Sequence, residues 1–93
     1  MFIEVIGKQP LPDGVDRDDV EDLLTSALGA DGEVTGAGVG MGRWNLDVEV
    51  SADSEQFQRV LRRLAIALVD HNLGWVLLRP EHEATAEPAA KLA

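Results

Sequence analysis

Two carboxylates, on a segment where polar and apolar residues alternate, come nearest in type and spacing to a catalytic or metal site. Asp47 and Glu49 stand two positions apart, with Leu46, Val48 and Val50 between and beside them. Neighbouring carboxylates can share a proton for acid–base catalysis or hold a hard cation. The same spacing arises in any strand with one solvated face, because side chains alternate along a strand. A solvated face, a partner-binding face and a catalytic or metal site are the three alternatives.

Four glycines precede that segment at every second position: Gly36, Gly38, Gly40 and Gly42. In an extended strand they would leave one face bare, so that a ligand, a partner or another strand could approach the backbone closely. The other face would carry Ala37, Val39 and Met41. The run predicts either an irregular hairpin or an edge strand that a partner strand or a second copy could pair with. A phosphate-binding loop is disfavoured, because a strand follows instead of a helix and Arg43 is the only nearby cation.

The remaining candidates for catalysis are sparse. The chain has two histidines, His71 and His82, and no cysteine. His71 falls at the end of a predicted helix, and His82 lies between two glutamates near the C-terminus. No third ligand converges with them in the sequence, so we expect no zinc site, no cofactor and no enzyme activity.

The net charge of the chain limits the kinds of partner that it can bind. The 93 residues include 17 acidic and 8 basic side chains, a net charge of −9. Such a surface repels phosphate backbones and anionic membranes, so we expect neither nucleic acid nor membrane as a partner, whereas a basic protein is permitted. The absence of cysteine fits a reducing compartment. With no basic leader and no long apolar stretch, the sequence predicts a cytoplasmic protein.

Hydrophobic periodicity and turn signals place six elements along the chain. They are a strand over residues 2–6, a helix capped by Asp16 and ended by Gly29, an extended segment from Glu33 into the glycines, a strand over 45–50, a helix capped by Asp53 with Gln56 three residues on, and a strand over 75–79 closed by Pro80.

This order, β-α-β-β-α-β, predicts an α+β ferredoxin-like fold: a four-stranded antiparallel sheet with two helices on one face. In such a fold the first and third strands are central, and the second and fourth lie at the edges. We expect one domain over residues 1–80. Residues 81–93, rich in alanine and glutamate, are expected to be a tail, and its end at Lys91–Ala93 resembles the start of a common expression-vector linker.

The face of the sheet without helices is the expected binding surface. Asp47 and Glu49 face that side, and Glu4 would join them together with Phe2 and Ile6 if the first strand presents it outward. RNA-recognition domains of this architecture carry aromatic and basic residues there. Carboxylates beside apolar residues instead favour a protein partner. Trp44 is two positions from Leu46 and faces the same side of the strand, which predicts a core or rim position. Tryptophan is also a frequent interface anchor.

The segment from Gly36 to Val50, a glycine-rich hairpin followed by Asn45-Leu46-Asp47-Val48-Glu49-Val50, resembles small ferredoxin-like bacterial proteins, including toxin-neutralising immunity proteins. The resemblance covers about half of the domain and carries over no catalytic residue. It implies a non-enzymatic interaction module, for example an inhibitor of a basic toxin or nuclease. The alternative is a small-ligand-binding regulatory domain that acts as a homo-oligomer, with a homodimer formed through the sheet or its edge strand. The expected partner-binding residues are Glu4, Gly38, Gly40, Met41, Arg43, Trp44, Asp47 and Glu49.

Overall fold

A computed structural model describes residues 1–51 and 53–93, and these form an α+β fold with a five-stranded antiparallel sheet and three α-helices. The elements are β1 (Phe2–Gly7), α1 (Arg17–Leu28), a 3-10 turn (Gly29–Asp31), β2 (Gly32–Gly40), β3 (Arg43–Val50), α2 (Ser54–Asp70), β4 (Leu77–Pro80), β5 (Glu87–Pro88) and α3 (Ala89–Leu92). The spatial order of the strands is β2-β3-β1-β4-β5, so β1 and β3 lie near the centre and β2 forms one edge.

The core lies on one face of this sheet. Every second residue of the central strands is buried: Ile3 and Val5 on β1, and Trp44, Leu46, Val48 and Val50 on β3. These residues belong to the same cluster as the apolar stripes of both long helices, which include Val20, Leu24 and Leu28 of α1 and Phe57, Leu64 and Leu68 of α2. Both helices therefore cover the same face, which leaves the opposite face without a helical layer.

The helix boundaries follow the predicted caps. The Asp16 carboxylate accepts a hydrogen bond from the Asp19 backbone N–H at 3.0 Å, and the Asp19 side chain accepts one from Asp16 in return. At α2 the Asp53 carboxylate accepts from the Gln56 N–H at 3.0 Å. Gly29 ends α1 with a φ of 56°, a left-handed conformation that glycine adopts without steric cost.

The prediction of a four-stranded sheet is wrong, because β5 adds a fifth strand beside β4. Leu77 and Leu78 pair with Pro88 and Glu87, so β4 is an interior strand instead of an edge. Ala89 follows β5 with no exposed surface, and its N–H donates to the Val76 carbonyl at 2.8 Å. The segment expected to be a tail thus contributes to the sheet and the core. A two-residue strand that contains proline carries no alternation, so sequence periodicity could not reveal it.

Two further boundaries differ from the prediction. The last predicted strand begins at Leu77 and not at Trp75, because the Val76 N–H donates to the Leu73 carbonyl at 3.0 Å in a turn. The glycine run is also more regular than the irregular-hairpin interpretation allowed. β2 continues to Gly40, and only Met41 and Gly42 form the turn to β3.

Replacing Ala89 tests whether the C-terminal segment is part of the fold. Ala89→Asp places an unpaired carboxylate in the core, and we expect it to lower the free energy of unfolding by about 3 kcal/mol. Ala93→Asp makes the same change at an exposed position and is expected to have little effect. Urea denaturation followed by tryptophan fluorescence measures both, and equal stability of the two variants would contradict the packing of this segment.

Gly7 packs against the indole ring of Trp44, and a Cβ atom at position 7 would overlap that ring. Because Trp44 is only 5% exposed, Gly7→Ala is expected to lower the free energy of unfolding by about 1–3 kcal/mol. Gly40→Ala is the matched control, since nothing lies within 4 Å of a Cβ atom there. Thermal denaturation of the two variants is the measurement, and a Gly7→Ala protein as stable as the control would refute the close packing.

Candidate functional site: the open face of the sheet and its edge

The open face, as we call the sheet face opposite the helices, combines charged and apolar side chains. Strand alternation and pairing register place the following residues on it: Phe2, Glu4 and Ile6 of β1; Glu33, Gly36 and Gly38 of β2; Arg43, Asn45, Asp47 and Glu49 of β3; and Leu77 and Arg79 of β4. Glu4 faces outward, as the partner-face hypothesis requires, and lies directly between Asp47 on β3 and Arg79 on β4.

Only part of the negative charge on this face is neutralised within the sheet. Arg79 Nε donates to Glu4 Oε1 at 3.3 Å, and both side chains are about a third exposed. Glu49, by contrast, stands directly opposite Glu33 across β2 and β3. Like charges in opposed positions destabilise a strand pair, and a cation placed between them would relieve the repulsion. The acidic end of the face is thus suited to a positively charged group from outside the sheet.

A β-bulge brings Glu33 to this face. The pairing register of β2 shifts between Val34 and Gly36, so that Thr35 is the extra residue. Without the shift, strict alternation would place Glu33 on the face of β2 that carries Ala37, and the glycines would lie on the other face. With it, Glu33 lies on the open face with Gly36 and Gly38. The sequence alone does not reveal the position of Glu33, because strict alternation cannot show where a strand slips by one residue.

The glycines of β2 make room for polar side chains that belong to β3. A Cβ atom on Gly36 would lie 3.0 Å from Asp47 Oδ2, and one on Gly38 would lie 2.6 Å from Asn45 Oδ1. The Asp47 carboxylate and the Asn45 amide therefore extend across the bare backbone of β2 toward the free edge of the sheet. The glycine run is an edge strand whose open side is covered by its neighbour's polar groups.

The hairpin end of β2 is strongly exposed. Met41 and Gly42 have positive φ values, 52° and 77°, as both central residues of a type I′ turn require. The Met41 side chain is fully exposed, and Val39 is 78% exposed on the helix side of the sheet. Arg43 follows the turn on the open face, opposite Gly40. Two apolar side chains thus stand in solvent at the end of the edge strand.

Trp44 lies on the opposite face from the other candidate residues. Its side chain is 5% exposed, its Nε1–H donates to the Gln9 carbonyl at 3.1 Å, and its ring meets Trp75 edge-on with centroids 6.4 Å apart. The prediction of a core or rim position is confirmed. In this position Trp44 holds the loop after β1 against the sheet and does not present its ring to a partner on the open face.

The structure brings together most of the predicted binding residues. Glu4, Asp47 and Glu49 lie side by side on the open face, Gly38 and Gly40 lie at its β2 edge, and Met41 and Arg43 lie at the hairpin end. Arg79, which is not among the predicted binding residues, joins them through its ion pair with Glu4. The sequence indicated that Arg79 lies on a strand, but it could not show that Glu4 would lie opposite it.

The two histidines lie at opposite ends of α2. His71 caps the C-terminus of α2, with its Nδ1 3.0 Å from the Ala67 carbonyl. His82 meets Phe57 edge-on, with ring centroids 5.6 Å apart. Across residues 1–51 and 53–93, no three histidine, cysteine, aspartate or glutamate side chains are arranged to hold a metal ion.

A concavity lies on the helical side of the molecule. A groove of about 550 Å³ runs beside α1, and it is lined by Val15, Asp19, Val20, Asp22, Leu23, Ser26, His71 and Leu73. It is mainly apolar, and none of the residues expected to bind a partner lines it. The open face and this groove are separate surfaces of the fold.

Comparisons with protein families, with curated proteins and with solved structures give no match for this chain. Among the helices of the described residues, none has both the length and the apolar composition needed to cross a membrane. A functional assignment consequently rests on the surfaces described above.

Met41 adopts a conformation that costs a residue with a Cβ atom free energy. Met41→Asn is expected to raise the free energy of unfolding by about 0.5–1 kcal/mol, since asparagine tolerates a positive φ and the methionine side chain makes no buried contact. Chemical denaturation measures the change. Met41→Val, a β-branched residue at the same exposed position, should lower stability instead, and the opposite order of the two variants would contradict the type I′ turn.

Proposed function

We propose that this protein is a non-enzymatic interaction module whose open face binds a basic protein, as an immunity-type inhibitor covers the basic site of a toxin or nuclease. One observation carries the proposal: Glu33, Asp47 and Glu49 lie together on a sheet face that no helix covers. Arg43 and Arg79 are the arginines on that face, and Arg79 is already paired with Glu4. The remaining carboxylates are available to a cationic partner.

The apolar residues of the open face support a protein as the partner. Phe2 is 46% exposed at one end of β1, and Ile6 and Leu77 are half-buried and paired with each other toward the other end. Protein interfaces combine such apolar anchors with a charged rim. The net charge of −9 would attract a basic protein at a distance and increase the rate of encounter, while the carboxylates of the open face would orient it.

The ferredoxin-like architecture is part of the same proposal. The first four strands are arranged in the order β2-β3-β1-β4, and the two long helices pack on one face. This arrangement supports a ferredoxin-like unit that β5 and α3 extend at the β4 side. In such a unit the open face carries no helix, and the outer edge of β2 pairs with no strand.

A small-ligand-binding regulatory domain is the second candidate. The groove beside α1 supports it, because its volume of about 550 Å³ and its apolar lining suit a small molecule. That function would use the helical side of the molecule, whereas the interaction module uses the open face. Thermal denaturation with a panel of metabolites, compared between the original protein and Leu23→Asp in the groove, distinguishes the two candidates.

Reversal of charge on the open face tests the interaction module. A basic partner is first captured from native lysate, released at high salt and purified. The double variant Asp47→Lys with Glu49→Lys is then expected to slow association with that partner at least tenfold at low salt, since it replaces attraction by repulsion at the docking surface. Stopped-flow fluorescence measures the rate.

The matched control is Asp22→Lys with Asp70→Lys, which changes the net charge by the same amount at exposed positions of α1 and α2. We expect this variant to retain the association rate within about threefold, because its charges lie away from the docking surface. Equal slowing by both double variants would show that only net charge matters, and would contradict binding by the open face.

A further inference from the structure

The outer edge of β2 carries backbone groups without a partner strand. β2 is the terminal strand of the sheet and is nine residues long. A two-residue turn is closed by a hydrogen-bonded pair, here Gly40 and Arg43, and hydrogen-bonded pairs alternate with non-bonded pairs along an antiparallel ladder. The N–H and C=O groups of Ala37 and Val39 therefore point away from β3, toward the free edge.

The bulge-free part of this edge lacks the usual protection against strand addition. Natural edge strands are shielded by lysine, proline or an inward-pointing charge. Residues 36–40 contain none of these, and three of the five are glycine. The exposed backbone, together with the absence of large side chains, suits this stretch to pairing with one more extended segment.

The two faces of such a segment would contact different kinds of side chain. On the open face, Asp47 and Asn45 extend over Gly36 and Gly38 toward the edge, so the nearest side chains of an added strand would meet a carboxylate and an amide. On the helix side they would meet Ala37 and Val39, of which Val39 is 78% exposed. Side chains alternate along a strand, so the complementary segment alternates cationic and apolar residues.

A second copy of this chain does not meet that requirement. If β2 paired with β2 of another copy about Gly38, the open-face positions opposite Gly36 and Gly38 would themselves be glycine. Arg43 of the second copy would lie in the same row as Asp47, but on the strand beyond and not directly opposite Gly36. A basic segment places its cations directly opposite Gly36 and Gly38, next to the Asp47 carboxylate, whereas β2 of a second copy offers only glycine there.

We propose that the β2 edge binds an extended segment of the basic partner, which adds a sixth strand to the sheet with cationic residues over Gly36 and Gly38 and apolar residues beside Val39. This inference rests on the proposed function and adds the mode of recognition: backbone hydrogen bonds from Ala37 and Val39 give affinity, and Asp47 with Asn45 selects positive charge. The length available beyond the bulge is the five residues 36–40.

The test uses a blocked peptide, Thr-Lys-Val-Arg-Val-Lys-Thr, titrated into the full chain and followed by amide chemical shifts and hydrogen exchange. We expect the largest shifts along β2 and at least tenfold slower exchange at the Ala37 and Val39 amides. A peptide of the same composition with its cations adjacent, Thr-Val-Lys-Arg-Lys-Val-Thr, is expected to bind at least tenfold more weakly. Equal affinity of the two peptides, or shifts confined to other elements, would overturn the proposal.

Variants separate this inference from the proposed function. Val39→Lys places a cation at the exposed edge and is expected to weaken both peptide and captured partner at least tenfold, while Ile66→Lys, at an exposed site on α2, leaves both unchanged. Ala37→Pro removes one outward N–H and provides a second variant with the same expected loss. If Val39→Lys binds the partner normally while the Asp47 and Glu49 double variant does not, the strand-addition mode is wrong and the proposed function stands.

A dimer at the β2 edge is the competing occupant. Analytical ultracentrifugation over a range of concentrations, with and without Val39→Lys, detects it. A monomer at all concentrations supports the basic segment as the occupant. A dimer that Val39→Lys abolishes would overturn the proposal, because the edge would then be filled by a second copy.

Discussion

Burial of alternate residues on the two central strands determines what the rest of this protein presents to its surroundings. Ile3 and Val5 on β1, together with Leu46 and Val48 on β3, pack under both long helices with no exposed surface. A slip of one residue would expose all of them, so the register of β1 against β3 is strongly fixed. The same register sets Glu4 beside Asp47 on the opposite face. The acidic surface is therefore a consequence of the core.

The β-bulge at Thr35 and the glycines after it give the edge of the sheet its character. The bulge places Glu33 on the same face as Glu49, and the side chains of Asn45 and Asp47 extend over the backbone of the glycines. Bulges and small residues at a sheet edge usually interrupt pairing or allow close approach. Here they concentrate polar groups at an edge whose own backbone is free, which joins the open face and the β2 edge into one surface.

The C-terminal residues show how a short segment can complete a small domain. A chain of this size buries a modest fraction of its surface, so each additional packed residue matters to stability. β5 covers the outer side of β4, and Ala89 enters the core beside it. On the same face of the sheet, Trp44 packs against Gly7 and holds the loop after β1 through its hydrogen bond to the Gln9 carbonyl. β2, in contrast, has no neighbouring strand on its outer edge.

The sequence by itself determined the α+β class, both long helices with their aspartate caps, the outward side of β3 and the burial of Trp44, because local periodicity and capping chemistry depend on neighbours within a few residues. It did not determine the fifth strand, the position of Glu33 or the Glu4–Arg79 pair. A two-residue strand has no period, a bulge reverses the alternation from which a face is inferred, and the ion pair joins residues 75 positions apart. These features come from pairing between distant segments, and so only the tertiary structure decided them.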